Sequence, residues 1–187
     1  MNNIALVGVH RTGKTTLAHS FIEECPEYSY LSLDASSIFK KNNVDPSSYL
    51  DFDERLRIQY EILTSSEEKL SKHKNELFIT DRSPIDFAAY LLGDVTAKSP
   101  DYFRAIRQYC NDCYDLHNQF FNKTFLLQPG ISFVHEPYKG APSKSYRYML
   151  NELYKGLLTN IVNGPSIIPE HSLSIQARVD WILSKCS

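Results

Sequence analysis

The segment that most constrains this chain is Gly8-Val9-His10-Arg11-Thr12-Gly13-Lys14-Thr15. It lies between a short apolar run, Ile4 to Val7, and a helix-period pattern carried by Leu17, Ala18, Phe21 and Ile22. An apolar run of that length, ended by a glycine, suits a central strand buried on both faces. Strand, glycine loop and helix in immediate succession make one βα unit, and the loop fits G-x-x-x-x-G-K-[ST]. In such a loop glycines let the backbone wrap a polyphosphate, and the loop amides with the helix N-terminus form a positive concavity. Gly8, His10, Arg11, Thr12, Gly13, Lys14, Thr15 and Thr16 are therefore expected to line a nucleotide site. Lys14 reaches the outer phosphates as a point charge, and the Thr15 hydroxyl ligates Mg2+.

Further along, Tyr28 to Leu33 reads as a second strand ended by Asp34, and a long helix follows from Asp53 to about Lys74 with Leu56, Tyr60, Leu63 and Leu70 on one stripe. Glu76 to Thr80 is a third strand. Ser83-Pro84 then supplies an N-cap and a first-turn proline for a helix to about Leu92. Ser99-Pro100 repeats the device, opening a helix with Phe103, Ile106, Cys110, Cys113 and Phe120 on its inner face. Thr124 to Gln128 is a fourth strand, Ser145 to Ile161 a helix and Ile167-Ile168 a short last strand. A closing helix carries Ile175, Val179 and Ile182. Strands alternating with helices imply parallel strands joined by right-handed crossovers. The expected class is α/β: a three-layer P-loop NTPase fold with a central, mostly parallel five-stranded sheet and helices on both faces. Residues 1–187 form a single domain. The stretch from Ser132 to Lys144 holds Pro137, Gly140 and Pro142 without clear period, so the segment about 132–147 is expected to act as a lid.

Asp81-Arg82 closes the third strand, where an open parallel sheet places its ligand crevice. An acid there can hold the metal with Thr15, and Arg82 beside it can bind a transferring phosphate. Asp86, three residues after Ser83, suits a capping box and is read as structural. Asp34 ends the second strand and points toward the same crevice, where a carboxylate can orient an acceptor hydroxyl or take its proton. A turn aspartate is the alternative. Lys139, Lys144 and Arg147 are the cations able to close over a triphosphate, with Arg147 preferred. The only candidate for the guanine-reading N-K-x-D motif, Asn122-Lys123-Thr124-Phe125, puts Phe where Asp is needed, which leaves ATP as the donor.

The formal charge of -2 over 187 residues gives no global pull toward nucleic acid or an anionic surface. The start lacks a signal-peptide pattern and no run is long enough to span a bilayer, so a cytoplasmic location and no membrane partner are expected. Cys25, Cys110, Cys113 and Cys186 are then expected to stay reduced. The C-x-x-C of Cys110 and Cys113, with His117 a turn further on, lacks a second ligand pair and reads as helix packing. A homodimer is left open.

The stretch Ile4 to Ala18, I-A-L-V-G-V-H-R-T-G-K-T-T-L-A, together with F-I-T-D-R-S-P-I-D-F-A-A-Y-L from Phe78 to Leu91 and the element order, resembles small P-loop kinases of the nucleoside and nucleotide kinase type. The branch with ribosylnicotinamide kinase-like proteins and phage-encoded relatives is the most similar. The resemblance implies a single P-loop kinase domain that transfers phosphate from ATP with Mg2+. It places Asp81 on the metal side, Arg82 near phosphate and Asp34 near the acceptor hydroxyl, under a closing lid; with Lys14 and Arg147, read from the loop and the lid themselves, these are the expected catalytic residues, and Thr15 and Asp81 the expected metal ligands. The chain departs from such kinases in lacking an arginine-dense lid run. Twelve Tyr and ten Phe, among them Tyr49, Phe52, Tyr60, Phe87 and Tyr90, suit stacking on a flat base. Phage relatives include kinases of 5-hydroxymethyluracil within DNA, and the sequence leans slightly to that acceptor, with Lys40, Lys41, Arg55, Arg57, Arg104 and Arg107 as a track for the DNA backbone. In that case the location is the host cytoplasm. A free nucleoside or ribosylnicotinamide kinase, a nucleoside monophosphate kinase and a non-transferring ATP-binding module or ATPase are the alternatives.

Overall fold

A computed structural model describes residues 2–46, 48–94, 100–130, 143–171 and 174–186. Ile4–Val7 forms β1 and Lys14–Glu24 forms α1; Ser29–Tyr30 is β2, Ser36–Lys41 is α2 and Phe52–Lys72 is α3. Phe78–Thr80 is β3, Pro84–Asp94 is α4, Pro100–Phe120 is α5 and Lys123–Leu127 is β4. Lys144–Leu158 is α6, Ser166–Ile168 is β5 and Ile175–Cys186 is α7. The five strands form one sheet in the order β2-β3-β1-β4-β5, every neighbour parallel. The sheet is thus wholly parallel, and β1 sits at its centre, as its unbroken apolar run requires.

Period-two alternation along the strands sorts the core into two layers. Ala5, Val7, Phe78 and Leu126 face a cluster that includes Ile62 and Leu70 of α3, Ala88 of α4, Tyr109 of α5 and Leu150 of α6. Ile4, Leu6, Ile79, Phe125 and Leu127 face the other way, against Leu17 and Phe21 of α1 and Val179 and Ile182 of α7. Phe21 is 1% exposed, a burial that contributes about 1.5–3 kcal/mol. Helix α3 starts where Asp51 accepts a hydrogen bond from the Glu54 amide at 2.8 Å. It carries Asp53 and Glu54 in its first turn and Lys69 and Lys72 in its last, the polarity the helix dipole favours.

Three expectations need correction. The second strand is short because β2 is an edge that pairs only through Ser29 and Tyr30 with Phe78 and Ile79. The short helix α2, absent from the sequence reading, begins right after the Asp34 turn. The inner face of α5 is Tyr109, Cys113, Leu116, His117 and Phe120, whereas Phe103 is 64% exposed and Cys110 half-buried. Tyr109 can occupy the core because its hydroxyl donates to the carbonyl and side-chain oxygens of Gln59, at 3.3 and 3.1 Å.

All four cysteines are free thiols, and among the described residues no three metal-binding side chains converge. Among the same residues no helix is long and apolar enough to cross a membrane. Of the expected lid, residues 132–142, with Lys139, lie outside the described residues. Lys144 and Arg147 belong to the first turn of α6.

Candidate active site

The glycine loop runs from the end of β1 to the first residue of α1, and its shape is dictated at three points. Gly8 adopts φ 138° with the Leu127 backbone of β4 so close that a Cβ would lie 2.5 Å from its carbonyl oxygen. Glycine is the residue that fits there. Gly13, at φ 83°, is the left-handed residue from which α1 departs. Arg11, at φ 62°, takes the left-handed region without being glycine, a conformation that concentrates at functional loops.

Two tethers hold the loop from opposite layers. From α7, the buried Arg178 donates to the Thr12 carbonyl at 2.8 Å, and Thr12 itself is fully buried, its hydroxyl donating to Val9 O at 3.1 Å. From α4, the buried Asp86 accepts from the Gly8 amide at 3.4 Å. The capping role expected of Asp86 is present, since its other oxygen accepts from the Ser83 amide at 2.8 Å and the Ser83 hydroxyl accepts from the Ile85 amide at 3.2 Å. The same carboxylate also accepts from the Tyr154 hydroxyl of α6 at 2.8 Å. Burial raises its pKa, against the opposing pull of Lys14.

Lys14 curls back over the loop and donates to the carbonyls of Gly8 and Val9, at 2.6 and 2.9 Å. Burial lowers its pKa to about 8. Asp86 and Asp81 oppose that shift, while Arg82 and Arg147 reinforce it. His10 stacks on Tyr90 with ring centroids 4.7 Å apart. Its pKa falls to about 3, through burial first and then the charges of Arg82, Lys14, Arg11 and Arg147. Those four cations therefore gather around one neutral imidazole at the mouth of the loop. Arg147 is 5% exposed, and burial together with Arg11 moves its pKa down.

On the other flank the Thr15 hydroxyl donates to the Asp81 carboxylate, which joins the loop threonine to the strand-end acid. Tyr30 of β2 lies against the same carboxylate, and burial together with Asp81 pushes its pKa up to about 12. The pair offers oxygen donors alone, a set that fits a hard divalent cation such as Mg2+ held mainly by phosphates and water. Arg82 is half-buried. Burial works against its charge, but Tyr90, Asp86, Tyr154 and Asp81 prevail and raise its pKa.

Asp34 sits at the exposed rim. One carboxylate oxygen accepts from the Ser36 amide at 2.8 Å, so the turn role is real. Burial tends to raise its pKa, yet the bonds from Ser36 and Ser37 and the Arg82 charge hold it below the usual carboxylate range. It is an ionised acceptor rather than a strong base.

Of the residues expected from the sequence, Gly8, His10, Arg11, Gly13, Lys14 and Thr15 form the loop and the start of α1, Asp81 meets Thr15, and the charges of Arg82 and Arg147 act on His10 and Lys14. Thr12 is turned into the protein and shapes the loop from behind, and Thr16 is exposed on the first turn of α1. Tyr30, Tyr154 and Arg178 were not among the expected residues, and Tyr90, expected to stack on a base, stacks on His10. Arg178 falls on the apolar stripe of the closing helix with Ile175, Val179 and Ile182, and that was the available signal for it.

The fold is similar to that of a thymidylate kinase from Candida albicans, at TM-score 0.66 and 16% identity over 98% of this chain and 90% of that one. It is similar also to a deoxyadenosine kinase from M. mycoides with bound dCTP, at TM-score 0.68 and 16% identity over 98% of each chain. A NadR protein in complex with NR superposes at TM-score 0.70 and 16% identity, over 98% of this chain and 49% of that one. These likenesses establish the three-layer P-loop fold. No curated protein matches the sequence. The family model described as AAA domain matches residues 3–135, from the first strand through the glycine loop and Asp81-Arg82 to just beyond β4, and the chain belongs to that family.

Proposed function

We propose that this chain is an ATP-dependent kinase that moves the γ-phosphate onto a free nucleoside-type acceptor, a hydroxyl of a nucleoside or a phosphate oxygen of its monophosphate. The observation that carries this reading is the glycine loop with Lys14 folded over its Gly8 and Val9 carbonyls, beside the Thr15-Asp81 contact. In this reading ATP lays its phosphates along the loop amides, and Lys14 exchanges the Gly8 and Val9 carbonyls for the outer phosphates. Arg82 and Arg147 meet the charge on the transferring group. Preorganised cations act most strongly where water is excluded, and the burial around Lys14 and Arg147 supplies that condition. Thr15 and Asp81 would hold Mg2+, which when bound neutralises phosphate oxygens as a Lewis acid. Asp34, ionised at the rim, accepts the hydrogen of the acceptor hydroxyl and orients it for in-line attack.

The named activities of the similar structures, thymidylate kinase and deoxyadenosine kinase, support a nucleoside-type acceptor. A base within DNA, toward which the sequence leans, draws less support from the charges. Arg55 is held by Asp94 at 2.8 Å, and Arg57 pairs with Glu61 and donates to Asn42 at 3.0 Å, so both are neutralised within the fold. A phosphate track built on them would first have to break those pairs.

Labelled ATP offered with deoxynucleosides, ribosylnicotinamide, nucleoside monophosphates and DNA containing 5-hydroxymethyluracil tests the proposal. Label in a small-molecule acceptor is the expected result. Label in DNA alone would overturn the free-acceptor reading. ATP consumed with no labelled acceptor would make the chain an ATPase.

A further inference from the structure

Helices α4 and α6 lie side by side and antiparallel, and their contact is unusually close. A Cβ on Gly93 of α4 would fall 2.7 Å from the Cδ2 of Leu150 on α6. The pair is bolted at both ends by tyrosine hydroxyls on carboxylates. Tyr146 donates to Asp94 at 2.7 Å, and Asp94 in turn holds Arg55 of α3 at 2.8 Å. Two helical turns on, Tyr154 donates to Asp86 at 2.8 Å. The second bolt differs from the first in what lies behind it. The same Asp86 oxygen that accepts the hydrogen bond of the Tyr154 hydroxyl also accepts one from the Gly8 amide, and the other oxygen accepts one from the Ser83 amide. One buried carboxylate thus joins the first residue of the glycine loop, the start of α4 and the middle of α6. Asp86 is 1% exposed and Tyr154 fully buried, so water does not compete for these bonds.

Arg147 projects from the same buried face of α6, seven residues before Tyr154, with Leu150 and Asn151 between them on that face. Its position relative to the loop is therefore set by how α6 is fastened to α4 and to Gly8. We propose that Asp86 is a positioning residue that ties α6 to the glycine loop through Tyr154, so that Arg147 and the loop present one rigid anion site. The proposal rests on the nucleotide-donor reading above. It assigns to Asp86 a role beyond capping α4, and to Tyr154 a role beyond filling the core. A loop held only by its own backbone could bind phosphate without Arg147 in register; here the register is built in.

The test is a double-mutant cycle on Mg-ATP affinity, read by titration calorimetry on the wild-type chain, Tyr154→Phe, Arg147→Gln and the double variant. Tyr154→Phe keeps the ring in the core and removes only the hydroxyl. Arg147→Gln is expected to weaken binding about tenfold and Tyr154→Phe about fivefold, with the double variant within about twofold of Arg147→Gln alone. Asp86→Asn, which keeps the shape, is expected to show the same loss of additivity against Arg147→Gln. Losses that multiply in full, or a Tyr154→Phe chain that melts earlier yet binds ATP as the wild type does, would overturn the coupling. A wild-type chain that bound no ATP would overturn the donor-site reading and this inference with it.

Discussion

The Thr15 hydroxyl donates to the Asp81 carboxylate, across a separation of 66 residues in the chain. Two adjacent parallel strands, β1 and β3, bring this about, because each delivers its polar residue to the same end of the sheet. If that contact marks the metal site, Asp81→Asn is expected to raise the Mg2+ concentration needed for half-maximal turnover by roughly tenfold, with turnover falling by a larger factor. Magnesium titrations of the two proteins at saturating ATP check it. An unchanged Mg2+ requirement would return Asp81 to a purely structural role.

Lys14→Ala is expected to lower phosphoryl transfer by roughly 10²- to 10³-fold while the melting temperature stays within a few degrees. Among the described residues its ammonium donates to the Gly8 and Val9 carbonyls of its own loop, and Lys14 is not one of the core residues. Thermal unfolding and single-turnover kinetics on the same preparation separate the two effects.

Gly8→Ala is expected to do the reverse and damage the fold itself. A Cβ would meet the Leu127 carbonyl at 2.5 Å at a φ of 138°, and neither backbone can yield without breaking the β1-β4 ladder. The expected cost is about 2–4 kcal/mol, read by urea unfolding. A stable Gly8→Ala chain would show that the loop relaxes freely.

His117 gives a pH dependence whose sign follows from its burial. The ring is 1% exposed, its Nε2 lies 2.9 Å from the Thr124 hydroxyl, and burial lowers its pKa from 6.5 to about 3. Between those values the unfolded chain binds a proton that the folded chain does not. Stability therefore falls as pH drops from about 6.5 toward 3, by about 1.4 kcal/mol per pH unit from this group. His117→Gln removes that slope. Urea unfolding at pH 6 and pH 5 is expected to show the wild type losing about 1.2 kcal/mol more than the variant. Parallel losses would contradict the burial-driven shift.

Much of the site was legible in the sequence because its chemistry is local. The glycine loop is one contiguous segment, and Asp81-Arg82 follows a strand whose apolar residues announce it. The contacts that hold the loop in place were not legible. Arg178 meets Thr12 across 166 residues and Tyr154 meets Asp86 across 68, and no local pattern encodes such pairings. Asp86 looked complete as a cap, although capping occupies one of its two oxygens and the other takes the Gly8 amide and the Tyr154 hydroxyl. Helix α2 was missed because six residues hold too little periodicity to register, and its start lies in the same turn that Asp34 makes. The inner stripe of α5 was misplaced because Phe103 reads as core by its chemistry, while Tyr109 and His117 read as polar until the packing gives the Tyr109 hydroxyl and His117 Nε2 partners.

The central claim is that the cations at the loop serve transfer to an acceptor rather than hydrolysis. Steady-state ATP consumption, measured with and without a nucleoside-type acceptor, tests it most directly. The expected result is slow turnover of ATP alone, raised at least about tenfold by the acceptor, with one phosphorylated acceptor formed per ADP. Turnover that is indifferent to every acceptor, with inorganic phosphate accounting for all the ADP, would contradict it.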